Sequence, residues 1–346
     1  MCQYQALDGC ATDWHLMHWG NLLNSGAALF TIEATAVVPE GRITPACLGL
    51  WNDATQDALG RTLQRARALA PHTAVCIQLA HAGRKASSAL PWQGAQLLSP
   101  SNGGWETFGP SALPHLPTEA APTAMTLDEM ARVKDAFVVA AKRAEAIGVN
   151  AIELHAAHGY LLHEFLSPLA NQRTDAYGGS LENRLRYVLE VFAAMRAATT
   201  LSLGIRISAS DWVEGGWDLD QSTALALALK GLGCDFIHVS SGGVSPLQKI
   251  TLGPGYQLPF AHQIRAASGL PTTGVGLITE AAQAETVLQS GDADLVALGR
   301  AFLYQPRWAW QAAAALGGEV EGFPSYWRAL PREAAQVFGK VAVGVR

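Results

Sequence analysis

Short apolar runs alternate along the chain with longer stretches whose apolar positions recur at helical spacing. The runs fall at 28–32, 74–77, 151–154, 203–207, 236–239, 272–275 and 295–298. Helical spacing covers 13–24, 53–69, 127–147, 181–198, 221–232, 260–267, 280–289 and 306–316. Strands that are apolar throughout, separated by helices, predict a parallel sheet covered on both faces and built from βα units. A closed (β/α)8 barrel needs eight strands. The pattern offers eight helices and only seven runs, and the helix at 13–24 comes before the first of them. The fold expected is α/β, a TIM barrel whose first strand is missing from this chain. An open doubly wound sheet is the competing architecture. It would usually carry a GxGxxG fingerprint, and neither that nor a GxxxxGK[ST] loop occurs.

One connection is too long for a simple loop. Residues 85–126 are rich in Pro, Gly and Ser and hold Trp92, Trp105 and Phe108. A long irregular insertion in a compact domain is usually functional, often a lid. The chain is therefore expected to form one domain over 1–346, with a lid at 85–126 and an interface tail at 319–346.

Composition narrows the partners. Of 346 residues, 49% are hydrophobic and 15% charged, against about 25% charged in a typical domain. That fits a large buried core. A net charge of −5 without a Lys/Arg block argues against nucleic acid and anionic membranes as partners. No apolar stretch reaches the ~18 residues needed to span a bilayer. The five cysteines are scattered with no CxxC, which suits a reduced cytoplasmic protein. No basic, apolar leader opens the chain.

In parallel barrels, function sits where strands end and βα loops begin. Those positions hold Glu33-Ala34-Thr35, then Gln78 with His81, Arg84 and Lys85, then His155, His158 and Tyr160, then Arg206, then Ser240-Ser241-Gly242-Gly243, then Gly276, and Gly299-Arg300. Amide, imidazole, phenol and guanidinium groups thus converge on one rim. The glycine-bearing loops allow close backbone approach to a phosphate.

Four stretches carry a resemblance. Ile77-Gln78-Leu79-Ala80-His81-Ala82-Gly83-Arg84-Lys85 resembles the third-strand signature of the old yellow enzyme family. Glu153-Leu154-His155-Ala156-Ala157-His158-Gly159-Tyr160-Leu161 resembles its substrate-binding motif. Ser167-Pro168-Leu169 and Asn171 through Arg184 are similar to the segment that follows. Met1-Cys2-Gln3-Tyr4 resembles the flavin-facing end of strand one in the thermophilic-like bacterial ene-reductase branch. Matches run from Met1 to about Arg328.

The resemblance implies non-covalent FMN reduced by NADPH or NADH, which then leaves. An α,β-unsaturated carbonyl or nitro compound takes its place. Hydride transfer belongs to the flavin, and the protein orients and polarises. By this carry-over His155 and His158 donate to the substrate oxygen as it gains charge, and Tyr160 gives a proton to Cα. Gln78 reads the pyrimidine edge, Arg206 places positive charge near N1, and Ala34 leaves room beside the ring. Gly276, Gly299 and Arg300 hold the phosphate. Cys2 tunes the flavin and Tyr4 adds a phenol on the substrate side. Lys85 lines the substrate site, and Arg328 reaches the neighbouring site of a homodimer or dimer-based oligomer.

Plainer roles compete with several of these. Arg206 could pair internally with Glu33 or Asp211, Gly276 could be a turn glycine, and Cys2 a small buried hydrophobe. Lys85 and Arg328 could be surface cations. The spacing His155-x-x-His158 invites a metal, but it sits at a strand end rather than at i,i+4 on a helix. It also has no third ligand motif, so no metal is expected.

The chain departs from the family at its start. The floor hairpin and the strand ahead of Pro-Met-Cys have no counterpart here. Three explanations are open: Met1 is an internal methionine of a longer protein; the chain is a true truncation; or the alternating tail at 340–346 fills the vacant slot. The functional expectation is an FMN-dependent, NAD(P)H-linked ene-reductase. A non-catalytic or FMN-deficient barrel of the same family is the alternative. The related 2,4-dienoyl-CoA and trimethylamine dehydrogenases carry iron–sulfur cysteines and added domains that this sequence lacks.

Overall fold

The computed structural model describes residues 1–70 and 73–341. Seven parallel strands form one sheet in chain order: β1 (Leu29–Ala36), β2 (Ala74–Ala80), β5 (Ala151–Ala156), β6 (Ser202–Ser208), β7 (Ile237–Ser240), β8 (Thr272–Gly274) and β9 (Leu295–Val296). Two further short strands, β3 (Phe108–Gly109) and β4 (Thr123–Ala124), pair within the insertion. The sheet curls as a partial α/β barrel. Among the described residues β1 and β9 are its edges, and no strand joins them. The 342–346 part of the tail invoked to fill that slot lies outside the described residues.

Helices form where caps and periodicity agree. Helix α1 spans Asp13–Leu23. For α2 (Asp53–Leu69), Asn52 accepts from the Thr55 N–H. For α3 (Leu127–Ala146), Thr126 and Glu129 satisfy each other's backbone N–H groups in a capping box. Ser180 caps α5 (Leu181–Ala198) and Asp218 caps α6 (Leu219–Gly231). The outer layer continues with α7 (Leu258–Ser268), α8 (Ala281–Gln289) and α10 (Trp308–Leu316). Two short helices escaped the sequence reading: α4 (Leu161–Leu166) and α9 (Arg300–Tyr304). Every residue of α4 is buried, so it shows no polar face for a periodicity to reveal.

The core is one continuous layer between sheet and helices. Ile32, Ile77, Leu79, Ile152, Leu154, Ile205 and Ile237 from the strands meet Leu59, Phe137, Val188 and Phe192 from the helices. Full burial of each such side chain stabilises by about 1.5–3 kcal/mol. A small separate cluster of Ala313, Val337 and Phe338 docks the C-terminal segment onto Trp310 and Val320.

Several strands run past the expected apolar runs: Gln78 lies inside β2, His155 inside β5 and Ser240 inside β7. Glu33, Ala34 and Thr35 lie inside β1, not in a loop after it, because pairing with β2 resumes at Thr35↔Leu79 after an irregularity at Ile32. The insertion is anchored over the rim. Trp105 donates its indole N–H to the Glu40 carbonyl at 2.8 Å. The Arg42 guanidinium sits 4.8 Å from the Trp105 ring and 5.5 Å from Trp51, within cation–π range.

Candidate active site

At the C-terminal end of β5 the chain turns through His158 and Gly159, both at positive φ (59° and 70°). A Cβ on Gly159 would meet the Gly243 carbonyl oxygen at 2.1 Å, so only glycine fits that close approach. The turn is fixed from below. The Gly159 N–H donates to His163 Nδ1 at 2.8 Å, and His163 Nε2 lies 2.9 Å from Asp211. Asp211 also accepts from Ser167 Oγ and the Trp217 N–H.

This turn brings three rings together. His155 lies edge-on to His158 at 5.2 Å and to Tyr160 at 5.1 Å between centroids. Burial, with the Arg206 charge beside it, lowers the His155 pKa to about 3 and moves His158 the same way. Both imidazoles are therefore neutral at pH 7. His155 Nδ1 accepts the Ala157 N–H at 3.2 Å, which leaves Nε2–H as its donor. His158 Nε2 meets Ser240 Oγ at 2.8 Å. Burial holds the Tyr160 phenol protonated, well above its usual range, and the thiol of Cys2 and phenol of Tyr4 act in the same direction.

Cys2 and Tyr4 share one corner with Ala34 and Cys47. Burial raises both Cys2 and Tyr4 above their ordinary values; the Ala34 backbone opposes the shift at Cys2, and Cys2 adds to the shift at Tyr4. Tyr4 also meets the edge of Trp92 from the insertion at 6.0 Å. Trp92 itself is 61% exposed, so this ring stands at the mouth of the site.

Beside these rings opens a cavity of about 1040 Å³. Gln78, His158, Arg206, Gly276, Gly299 and Arg300 line it together with Glu33, Glu153 and His238. Its walls fit a flavin nucleotide. The Arg206 Nε is buried without a partner, as is His238 Nε2. Gly276 has φ 131°, and a Cβ there would come within 3.0 Å of Gln257 Nε2. Buried Ala34 and His155 and half-buried Cys2, Tyr4, Tyr160 and Lys85 lie outside this lining, and Arg328 is exposed on the Pro324–Ala329 turn.

The internal ion pairs weighed for Arg206 do not form. Asp211 is taken by His163, and Glu33 accepts the Gln3 N–H at 2.8 Å. The carboxylate that bears on Arg206 is Glu153. The sequence reading left Glu153 and His238 without a role, although alternation on β5 already put Glu153 on the same face as His155. Among the described residues no group of three or more His, Cys, Asp or Glu side chains converges to hold a metal ion.

Comparison with known proteins adds to this geometry. The family model described as NADH:flavin oxidoreductase / NADH oxidase matches residues 1–318. The chain is 42% identical over 341 residues to an NADH:flavin oxidoreductase of Gibberella zeae, with 93% of this chain and 82% of that protein covered. It is 41% identical over 331 residues to an NADPH dehydrogenase of Halalkalibacterium halodurans, covering 95% and 92% of the two. Among solved structures, morphinone reductase in complex with tetrahydroNAD superposes with a TM-score of 0.74 at 26% identity, covering 94% of this chain and 87% of that one.

Proposed function

The chain belongs to the NADH:flavin oxidoreductase / NADH oxidase family, the old yellow enzyme group, and from that premise we propose that it reduces activated C=C bonds of α,β-unsaturated carbonyl or nitro compounds. It is an FMN-dependent flavin oxidoreductase with a nicotinamide as hydride donor. Bound FMN supplies the hydride. Gln78 and Arg206 would hold its pyrimidine edge, and Ala34 and Cys2 would flank the ring. Gly276, Gly299 and Arg300 would hold its phosphate.

One observation carries the substrate reading. Two neutral imidazoles and a protonated phenol are packed ring to ring at the end of one strand. Neutral N–H donors aimed at a carbonyl or nitro oxygen stabilise the charge it gains during reduction. His155 offers Nε2–H. With the Ser240 hydroxyl donating to Nε2, His158 offers Nδ1–H. Tyr160 Oη gives its proton to Cα, and the phenolate left behind regains one from solvent. Tyr4 and Lys85 border this pocket, and Trp92 partly covers it.

The exposed Arg328 suits a reach into a neighbouring copy, so the assembly proposed is a homodimer or an oligomer built from dimers. All five cysteines are free, which supports a reducing cytoplasm. No helix among the described residues is long and apolar enough to cross a membrane. The test is anaerobic: protein reduced by one equivalent of NADPH is mixed with 2-cyclohexenone and the flavin absorbance followed. Reoxidation with one cyclohexanone formed per flavin supports the reading. A flavin that stays reduced until air is admitted contradicts it.

A further inference from the structure

Glu153 stands at the centre of a polar layer with Gln78, Arg206 and His238, and none of the steps above uses Glu153 or His238. Its Oε1 accepts from Gln78 Nε2 at 2.5 Å, and its Oε2 lies 2.9 Å from His238 Nδ1. Gln78 is on β2 and His238 on β7, so one carboxylate spans from the strand before its own to the second strand after it. The sheet register explains the reach. Glu153 pairs with Gln78 on β2 and with Gly204 on β6, and the Phe236 ring fills the space that a Cβ on Gly204 would need. Arg206, next on the same face of β6, pairs with His238.

The protonation pattern follows. Burial opposes ionisation of Glu153, but His238, Arg206 and Gln78 together outweigh it and hold its pKa at about 2. Burial and Arg206 push His238 toward its neutral form. Its Nδ1–H then donates to Glu153, and the buried Nε2 is left as an unpartnered acceptor. The pair carries one negative charge beside the positive charge of Arg206. Because Gln78 spends an N–H on Glu153, its carbonyl oxygen is the end left to accept from a ligand N–H.

We propose that Glu153 is a positioning residue for the cofactor: it fixes the Gln78 amide with its oxygen toward the pyrimidine edge and offsets part of the charge that Arg206 presents there. The inference rests on the assignment of Gln78 and Arg206 to the flavin. It concerns the balance between the two redox forms, because the reduced ring gains negative charge and the oxidised ring does not. An uncompensated Arg206 favours the reduced form.

The midpoint potential of bound FMN reads this directly, measured by anaerobic dye-referenced titration on purified wild type, E153Q and R206Q. In E153Q the ratio of affinities for reduced and oxidised FMN should rise about tenfold, which is about +30 mV for a two-electron couple. In R206Q the potential should fall. A silent E153Q beside a lowered R206Q would overturn this proposal alone, and so would equal weakening of both redox forms. A silent R206Q would overturn the assignment of Arg206 to the flavin and this proposal with it. If E153Q does not fold, H238L takes its place. It removes the donor on one side of the carboxylate, so more negative charge bears on Arg206 and the potential should fall. An unchanged potential in H238L would contradict the proposal.

Discussion

The Lys85 ammonium lies 4.9 Å from the centroid of the Tyr160 ring, and it donates to the His158 carbonyl at 2.7 Å and the Gly243 carbonyl at 3.0 Å. One side chain thus ties the loop after β2 to the loops after β5 and β7, behind the phenol. Burial lowers its pKa to about 8, so at pH 7 it is still charged. A cation against the ring face favours the phenolate that forms when Tyr160 gives up its proton.

Lys85→Met should therefore slow the enone half-reaction more than reduction by NADPH, by a factor of about ten. Loss of the charged hydrogen bonds should also lower stability by about 1.5–3 kcal/mol. Stopped-flow on each half-reaction and urea unfolding check the two effects separately. Equal slowing of both half-reactions would place Lys85 in the scaffold only.

Gly159→Ala should disrupt the turn that carries His158 and Tyr160. The new Cβ would clash with the Gly243 carbonyl while the backbone stays at φ 70°. The turn must open, and His158 and Tyr160 move with it. The expected result is a folded protein that still takes up FMN but loses at least about tenfold in enone turnover. Flavin absorbance per protein and steady-state rates measure this, and near wild-type turnover would show that the turn tolerates relaxation.

Buried groups set the pH dependence of stability. His15, His81 and His155 are neutral in the fold, with pKa values pushed by burial to about 4, 4 and 3. Unfolded, they bind protons below about 6.5. The unfolded chain then holds more protons, so stability falls as pH drops from 6.5 toward 4. Glu164 works in the opposite sense. Burial raises its pKa to about 8, so between pH 4.5 and 8 the fold keeps a proton that the unfolded chain has lost. Its contribution shrinks as pH rises through that window. Glu164→Gln removes this penalty, and its stability relative to wild type should grow from pH 5 to pH 8, by on the order of 1 kcal/mol per pH unit. Thermal melts of both proteins across that range test the sign.

Local pattern was enough for much of the fold. The apolar periodicity of α2 and α5 marks the same ends in sequence and structure, Asp53–Leu69 and Leu181–Ala198. Among the described residues the deficit of one strand also reappears as the two unpaired sheet edges. Elements without polar contrast stayed hidden, α4 above all. Of the candidate site, the closeness of His155, His158 and Tyr160 was legible because one strand and its turn carry all three. The Glu153–His238 pair was not, since its members lie 85 residues apart and meet only through the register of three strands. The same holds for Lys85, which the sequence leaves open between the substrate site and the surface and whose carbonyl partners come from two other loops.

The central claim is that Tyr160 protonates the substrate after hydride transfer, and the half-reactions of Tyr160→Phe test it most directly. Reduction of the flavin by NADPH needs no proton at a substrate carbon, so its stopped-flow rate should match wild type within about twofold. Reoxidation by 2-cyclohexenone should slow by at least about tenfold, within the usual range for loss of a general acid. Equal losses in both half-reactions, or an unchanged reoxidation rate, would contradict the account.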